Sequence, residues 1–306
     1  MNSGSRIYYT IRPTIPRRIQ LLLRGMAVRK KYPRYKTLWP IHHEVTGKPE
    51  RWKGWPNGKK FAFILTHDVE TKKGYERCLD LIKLEMKQGF TSSYNFVPER
   101  YEVSPSLRKE IADKGFEVGV HDLRHDGKLF NNYKTFIKKS ARINGYLKEW
   151  GAAGFRSAAM HHNLDWINAL DIEYDASTFD FDPFEPDPSG MMTIFPFWVN
   201  SNGTGNGYVE LPYTIPQDFT LFLLLKEKNI SIWKKKIDWV ASKGGMALVN
   251  VHPDYICFNE GKPNFDEYPI GNYKEILEYV KTKYFGQYWN VLPREVARFY
   301  KNSNKF

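Results

Sequence analysis

From Lys59 onward, short apolar runs of strand length alternate with longer amphipathic segments. Residues 61–66 (Phe-Ala-Phe-Ile-Leu-Thr) are apolar on both faces, the pattern of a strand covered on both sides in a parallel sheet. Residues 75–88 carry helical periodicity and end at Gly89, and 92–97 read as a second strand. A helix over 107–114 stops at Gly115, and 116–120 form a third strand. A long helix is predicted over 134–150, with strands over 153–156 and 172–175. Further on, 232–242 is helical up to Gly244-Gly245, 246–251 is a late strand, and 273–283 and 292–300 are helices. This alternation predicts an α/β fold, a parallel sheet with helices outside it, open or closed as a barrel. Residues 202–207 (Asn-Gly-Thr-Gly-Asn-Gly) read as the tip of a hairpin.

The first 57 residues differ in texture. Pro13, Pro16, Pro33, Pro40, Pro49 and Pro56 punctuate them, and one stretch is helical. Pro16 suits a first turn, and Ile19, Leu22, Leu23 and Met26 follow at i, i+3, i+4, i+7. Arg17, Arg18, Arg24, Arg29, Lys30 and Lys31 surround that stripe. Two readings stay open: a basic amphipathic helix on an anionic membrane surface, or a helix docked on the body with a solvated basic face. Nucleic acid is disfavoured as a partner, since no nucleic-acid-binding motif is present.

Length and charge sharpen the division. The 306 residues suit one large α/β domain with an appendage, so the expected organisation is a basic arm over 1–57 and a globular domain over 58–306. Residues 1–60 hold 15 Lys and Arg against 2 Asp and Glu, a net +13; the rest hold 31 against 32, a net −1. With 42% hydrophobic residues a core forms without disulfides. Cys78 and Cys257 lie alone in apolar segments, so both are expected to be buried thiols of a protein in a reducing compartment. Leu21-Leu22-Leu23 is too short for the core of a secretion signal, and the longest apolar run, 219–225, is far below the ~20 residues of a membrane span. The expectation is a cytoplasmic protein, with a peripheral position at the inner face of the membrane left open.

In parallel α/β folds, chemistry lies at the carboxyl ends of the strands. The first run ends Thr66-His67-Asp68-Val69-Glu70, which puts two carboxylates on one side of an extended chain. The third ends at His121, with His125 four residues on, a spacing that lets two imidazoles share a metal ion where the loop is turned or helical. The fourth ends Gly154-Phe155-Arg156, and Arg156 calls for a carboxylate partner. The late strand leads into His252. Each of these, taken alone, fits a polar turn or a structural histidine. Six such residues after four strand-like runs do not fit that explanation.

In this order, Thr-His-Asp-Val-Glu, His-x3-His, Gly-Phe-Arg and Val-Asn-Val-His-Pro resemble the polysaccharide deacetylase family, over roughly residues 59–254. The resemblance implies a distorted (β/α) barrel, usually of seven strands. It implies Asp68 as general base, a metal site of Glu70, His121 and His125, Arg156 beside the base and His252 as catalytic acid. An Asp that orients this His is also implied, with Asp175 the better candidate and Asp180 the other. Two departures stand out: the first motif follows an Asp-Val-Asp/Glu branch with Glu as ligand, and Ala158 replaces a family proline. Segments 39–41, 210–218 and 252–255 further resemble a bacterial branch associated with surface polysaccharides; 210–218 is either part of a substrate cleft or a buried connection.

The function so implied is metal-dependent removal of an N-acetyl group from an amino sugar or glycan. The donor set suits Zn2+ first, with Co, Ni, Mn or Fe compatible. Two alternatives remain: hydrolysis of another non-peptide C–N amide on the same fold, or an inactive module that binds glycan or lipid-linked intermediates.

Overall fold

The computed structural model describes residues 14–45, 47–49, 52–188, 190–200, 207–259 and 262–304. In chain order the first elements are α1 (Arg17–Tyr35), β1 (Phe61–Val69), α2 (Lys72–Gln88), β2 (Ser93–Phe96), α3 (Pro105–Asp113), β3 (Glu117–His121), α4 (Tyr133–Trp150), β4 (Gly154–Arg156), α5 (Leu164–Ile167) and β5 (Tyr174–Asp175). After them come β6 (Phe197–Asn200), β7 (Gly207–Glu210), a π-helical segment (Phe219–Leu225), α6 (Ser231–Lys243), β8 (Met246–Val251), β9 (Ile256–Cys257), β10 (Tyr268–Pro269), α7 (Ile270–Lys283), β11 (Tyr288–Asn290) and α8 (Pro293–Asn304).

Seven parallel strands run side by side in the order β8-β1-β2-β3-β4-β5-β7. Beyond β7 the chain bridges Phe179 with Tyr213 and then Val249 of β8 with Ile215, so the ring closes through single bridges. The result is a distorted (β/α) barrel. Its sheet holds nine strands where the family resemblance implies seven, because β6 joins β7 antiparallel and β11 joins the first residues of β1. The predicted hairpin tip, 202–207, falls largely on 201–206, outside the described residues; β6 and β7 pair on either side of it.

Alternation along the strands decides what faces inward. Phe61, Phe63, Leu65 and Val69 pack under the helices, whereas Ala62 and Ile64 join Met246, Leu248 and Tyr174 inside the barrel. Continuing the inward register upward gives Thr66 and Asp68 on β1 and Asn250 on β8, so an apolar lower barrel carries a polar upper layer. Two inward positions demand glycine. A Cβ on Gly119 would lie 2.1 Å from Asn95 Oδ1, and one on Gly154 would lie 1.9 Å from the Tyr174 ring.

One polar network faces outward. Buried Glu85 of α2 accepts from Ser92 Oγ (2.7 Å), Tyr94 OH (3.0 Å) and Tyr273 OH (2.5 Å), and lies 2.7 Å from His67 Nε2. It ties β1, β2 and α7 together. Glu85→Ala strands several buried polar groups at once and is expected to cost about 3 kcal/mol, read as a lower urea midpoint. Both cysteines are free and buried.

The arm packs on the barrel through α1. Its buried residues are Leu21, Gly25 and Val28. Arg29 Nη1 donates to Leu224 O at 2.6 Å, and Tyr32 and Tyr35 meet Phe184. The stripe recognised in the sequence, Ile19, Leu22, Leu23 and Met26, is exposed instead.

Candidate active site

The inward register of the upper strand ends delivers the polar residues into one pocket. Asp68 sits within β1, near its end, rather than in the turn that follows. Its Oδ1 accepts from Asn95 Nδ2 (3.0 Å) and Arg156 Nη1 (3.2 Å), and its Oδ2 from Asn250 Nδ2 (2.8 Å). Burial would raise this carboxyl, but Arg156, His121, His252 and the Asn95 bond outweigh it and hold it well below the usual range. Arg156 is fully buried and also donates to Thr66 Oγ1, Asn250 Oδ1 and Ala176 O.

Glu70 lies just past β1, where its backbone N–H is fixed by Asp254 Oδ2 at 2.9 Å. Its Oε2 accepts from Tyr255 OH at 2.5 Å and its Oε1 lies 3.2 Å from His125 Nε2. Burial opposes its charge, but His125, His252 and Arg17 keep it well below the ordinary carboxylate range.

His121 ends β3, and the chain then turns sharply. Asp122 and His125 both adopt left-handed backbone conformations (φ 55° and 54°), so the loop is turned, not helical. Asp122 holds the turn: Oδ1 accepts from the Leu123 and Arg124 N–H groups, and Oδ2 from the Ala158 N–H at 3.3 Å. A proline at 158 could not make that last bond. The two imidazole rings lie 4.8 Å apart.

Glu70, His121 and His125 each offer a donor atom, all within 4.8 Å of one another. His121 Nδ1 donates to Arg156 O at 3.0 Å, which leaves the Nε2 lone pair aimed into the site, the arrangement a ligating histidine needs. Burial drives this ring down to about 4, so at neutral pH it is in its neutral, ligating form. His125 Nδ1 faces Arg100 Nη1 at 3.0 Å. Ligation through its Nε2 requires the proton on Nδ1, and then Arg100 must move off. With that one adjustment the donor set fits a divalent first-row ion.

His252, the residue after β8, faces the triad. Its Nε2 is 4.0 Å from Glu70 Oε1. Its Nδ1 donates to Asp218 Oδ1 at 2.7 Å, and its backbone N–H to Asp218 Oδ2 at 2.9 Å. Burial lowers this imidazole, but the Asp218 charge and hydrogen bond, with Glu70 and Asp68 behind them, raise it to about 9.

The structure brings together Asp68, Glu70, His121, His125, Arg156 and His252, and leaves Asp175 out. Asp175 bonds Ser177 through Oδ1 (2.7 Å) and neighbours Glu210 on the adjacent strand, where burial raises both carboxyls. Asp180 is taken by Lys236 at 2.5 Å. The orienting carboxylate is Asp218. Sequence reasoning also missed Asn95 and Asn250, although Asn250 stands on β8 two residues before His252, which continues the extended chain and so shares its face. Segment 210–218 is buried along its length, and its last residues, Gln217 and Asp218, reach the site.

Asp68, Glu70, His121, His125 and His252 line an inner pocket of about 50 Å³ that also takes in Arg24, Glu185 and Phe219. An outer cleft of about 460 Å³ shares Arg17, Glu70, His125 and Tyr255 with it.

No family model matches the chain, and no curated protein matches it. Solved structures do. One, described provisionally as a polysaccharide deacetylase from Mycobacterium smegmatis, is 17% identical, with a TM-score of 0.61, 83% of this chain covered and 95% of that one. A probable polysaccharide deacetylase from Pseudomonas aeruginosa PAO1 is 13% identical (TM-score 0.63; 88% and 98% covered). Puue allantoinase is 15% identical (TM-score 0.64; 88% and 98% covered). At these identities the likeness is one of fold.

Proposed function

We propose that this protein is a metal-dependent hydrolase that removes an N-acetyl group from an amino sugar or a sugar-containing intermediate. The observation that carries the reading is the convergence of the Glu70, His121 and His125 donors, within 4.8 Å of one another, between an ionised Asp68 and a protonated His252. Support comes from a fold shared with proteins named as polysaccharide deacetylases. A divalent ion held by Glu70, His121 and His125 would supply Lewis acidity toward the amide carbonyl and toward water.

The remaining chemistry belongs to the chain. A carboxylate offers about four acceptor positions, and three on Asp68 are used by Asn95, Arg156 and Asn250. The free position on Oδ2 faces His121 Nε2 at 4.0 Å, where it can take a proton from the attacking water. His252 Nε2 delivers a proton to the leaving amine, while Asp218 keeps Nδ1 protonated and the ring fixed. The inner pocket has the volume of a few waters, enough for an acyl group but not a sugar ring. The ring would lie in the outer cleft.

Metal analysis of the purified protein tests the site. About one zinc-like ion per chain is expected, lost in His121→Ala. A chain that takes up no ion in excess zinc or cobalt would overturn the reading. An acetate-release screen then assigns the substrate. Small cyclic amides belong in it, because Puue allantoinase shares the fold.

A further inference from the structure

Helix α1 presents two faces, and only one is explained by packing. At about 100° per residue, Leu21, Gly25 and Val28 form one narrow stripe. That stripe is seated on the π-helical segment: a Cβ on Gly25 would lie 3.3 Å from Leu224 O. Roughly opposite stand Ile19, Leu22, Leu23 and Met26, exposed by 46, 57, 54 and 56%. A helix that merely docks on a barrel shows polar residues there. This one shows four large apolar side chains in a row, and no described residue covers them.

The chemistry around the stripe identifies what it fits. Residues 17–35 carry seven Lys and Arg and no Asp or Glu. Arg18 lies on one side of the stripe, Lys31 and Arg34 on the other, and Lys30 among it, all exposed. Beside Arg18 the half-exposed ring of Phe265 extends the apolar surface, with the guanidinium 4.6 Å from its centre. Apolar side chains ringed by cations, with an aromatic at the margin, match the acyl boundary and headgroups of an anionic bilayer. A second copy fits poorly, since a two-fold pairing would set Arg18, Lys30, Lys31 and Arg34 against the same four cations. Nucleic acid offers nothing to the four apolar side chains. Among the described residues no helix is long and apolar enough to cross a membrane, so this helix would lie in the surface.

We infer that α1 seats this protein on an anionic phospholipid surface. The same helix turns Arg17, Gln20 and Arg24 toward the cleft: Arg17 Nη2 donates to Tyr255 OH at 3.1 Å, and Arg24 lies over the Phe219 ring. The mouth of the candidate active site therefore lies beside the lipid.

Co-sedimentation of the full chain with vesicles tests this, and it stands apart from the hydrolase reading because no turnover is measured. The wild type is expected to pellet with phosphatidylcholine vesicles containing one third phosphatidylglycerol, and to be released by high salt. It should pellet poorly with phosphatidylcholine alone. Leu22→Asn, Leu23→Asn and Met26→Gln combined should weaken partitioning roughly tenfold or more. Their thermal midpoint should stay unchanged, because the three side chains are exposed. Wild-type protein that ignores anionic vesicles, or a triple variant that pellets like wild type, overturns the inference. So does a wild-type dimer in light scattering that the triple variant dissolves, in the absence of vesicle binding.

Discussion

Asp68→Asn is expected to lower turnover by about 10²–10³-fold while the metal content of the folded protein stays at the wild-type level. The two halves of this result test different things. The loss of turnover reports the missing acceptor for the water proton. Retention of the ion reports that Glu70, His121 and His125 form the donor set without Asp68. The separation needs testing because Asp68 Oδ2 lies only 4.0 Å from His121 Nε2, so a carboxylate rotation could bring it to an ion. An ion lost in Asp68→Asn would make Asp68 a ligand and remove the assigned base. The size of the effect follows from the same contacts that keep Asp68 ionised. Arg156, Asn95 and Asn250 stabilise the carboxylate and so weaken it as a base, which puts its contribution toward the lower end of the general-base range of about 10²–10⁴. The variant should also be less stable by about 3–5 kcal/mol, because Arg156 is wholly buried and Asp68 is its one carboxylate partner among the described residues.

Much of this site was legible because strand-end position is a local property. An apolar run announces the strand, and the first polar residues after it occupy the rim. That reasoning reached Asp68, Glu70, His121, His125, Arg156 and His252 without any contact information. Asp218 was not reachable in the same way. It follows an irregular segment joined to the sheet by isolated bridges at Tyr213 and Ile215, so no strand-like run precedes it. The resemblance put Asp175 first, yet on β5 Tyr174 faces the barrel interior, so Asp175 points to the opposite face, where Ser177 takes up its carboxyl. Helix α1 failed for a different reason. Periodicity located an apolar stripe, but a stripe identifies a face and not its partner. Packing uses the face of Leu21, Gly25 and Val28, which carries a glycine and two fewer large side chains. The hairpin expected around 202–207 is present as β6 and β7, whereas β11 had no signal, being three residues long and only half-buried.

Asp218→Asn carries the second large effect, and its signature is in the pH profile. His252 sits near 9, raised against its burial by the Asp218 charge and hydrogen bond, so below that pH it bears the proton a general acid needs. Activity should fall as pH rises through the folded value. An asparagine at 218 can still accept from Nδ1 but brings no charge, so the His252 value drops and the alkaline limb of kcat/KM moves toward lower pH. A cation beside Glu70 lowers the absolute value in both proteins, so the measured quantity is the displacement between wild type and variant in the same metal-loaded form. Where the variant's His252 has lost its proton and the wild type's has not, the cost should approach the general-acid range of about 10²–10⁴-fold. Stability follows with the same sign. A histidine whose folded value is raised contributes stability that is full below its unfolded value of 6.5 and lost as pH rises through about 9. The pH-dependent part of the gap in thermal midpoint between wild type and Asp218→Asn should therefore be widest in acid and close above that window. Asp175→Asn is the control. It lies away from His252, bonded to Ser177, and should leave the alkaline limb where it is. If Asp175→Asn moves the limb and Asp218→Asn does not, Asp218 is a structural carboxylate and the proton donor must be sought elsewhere in the pocket.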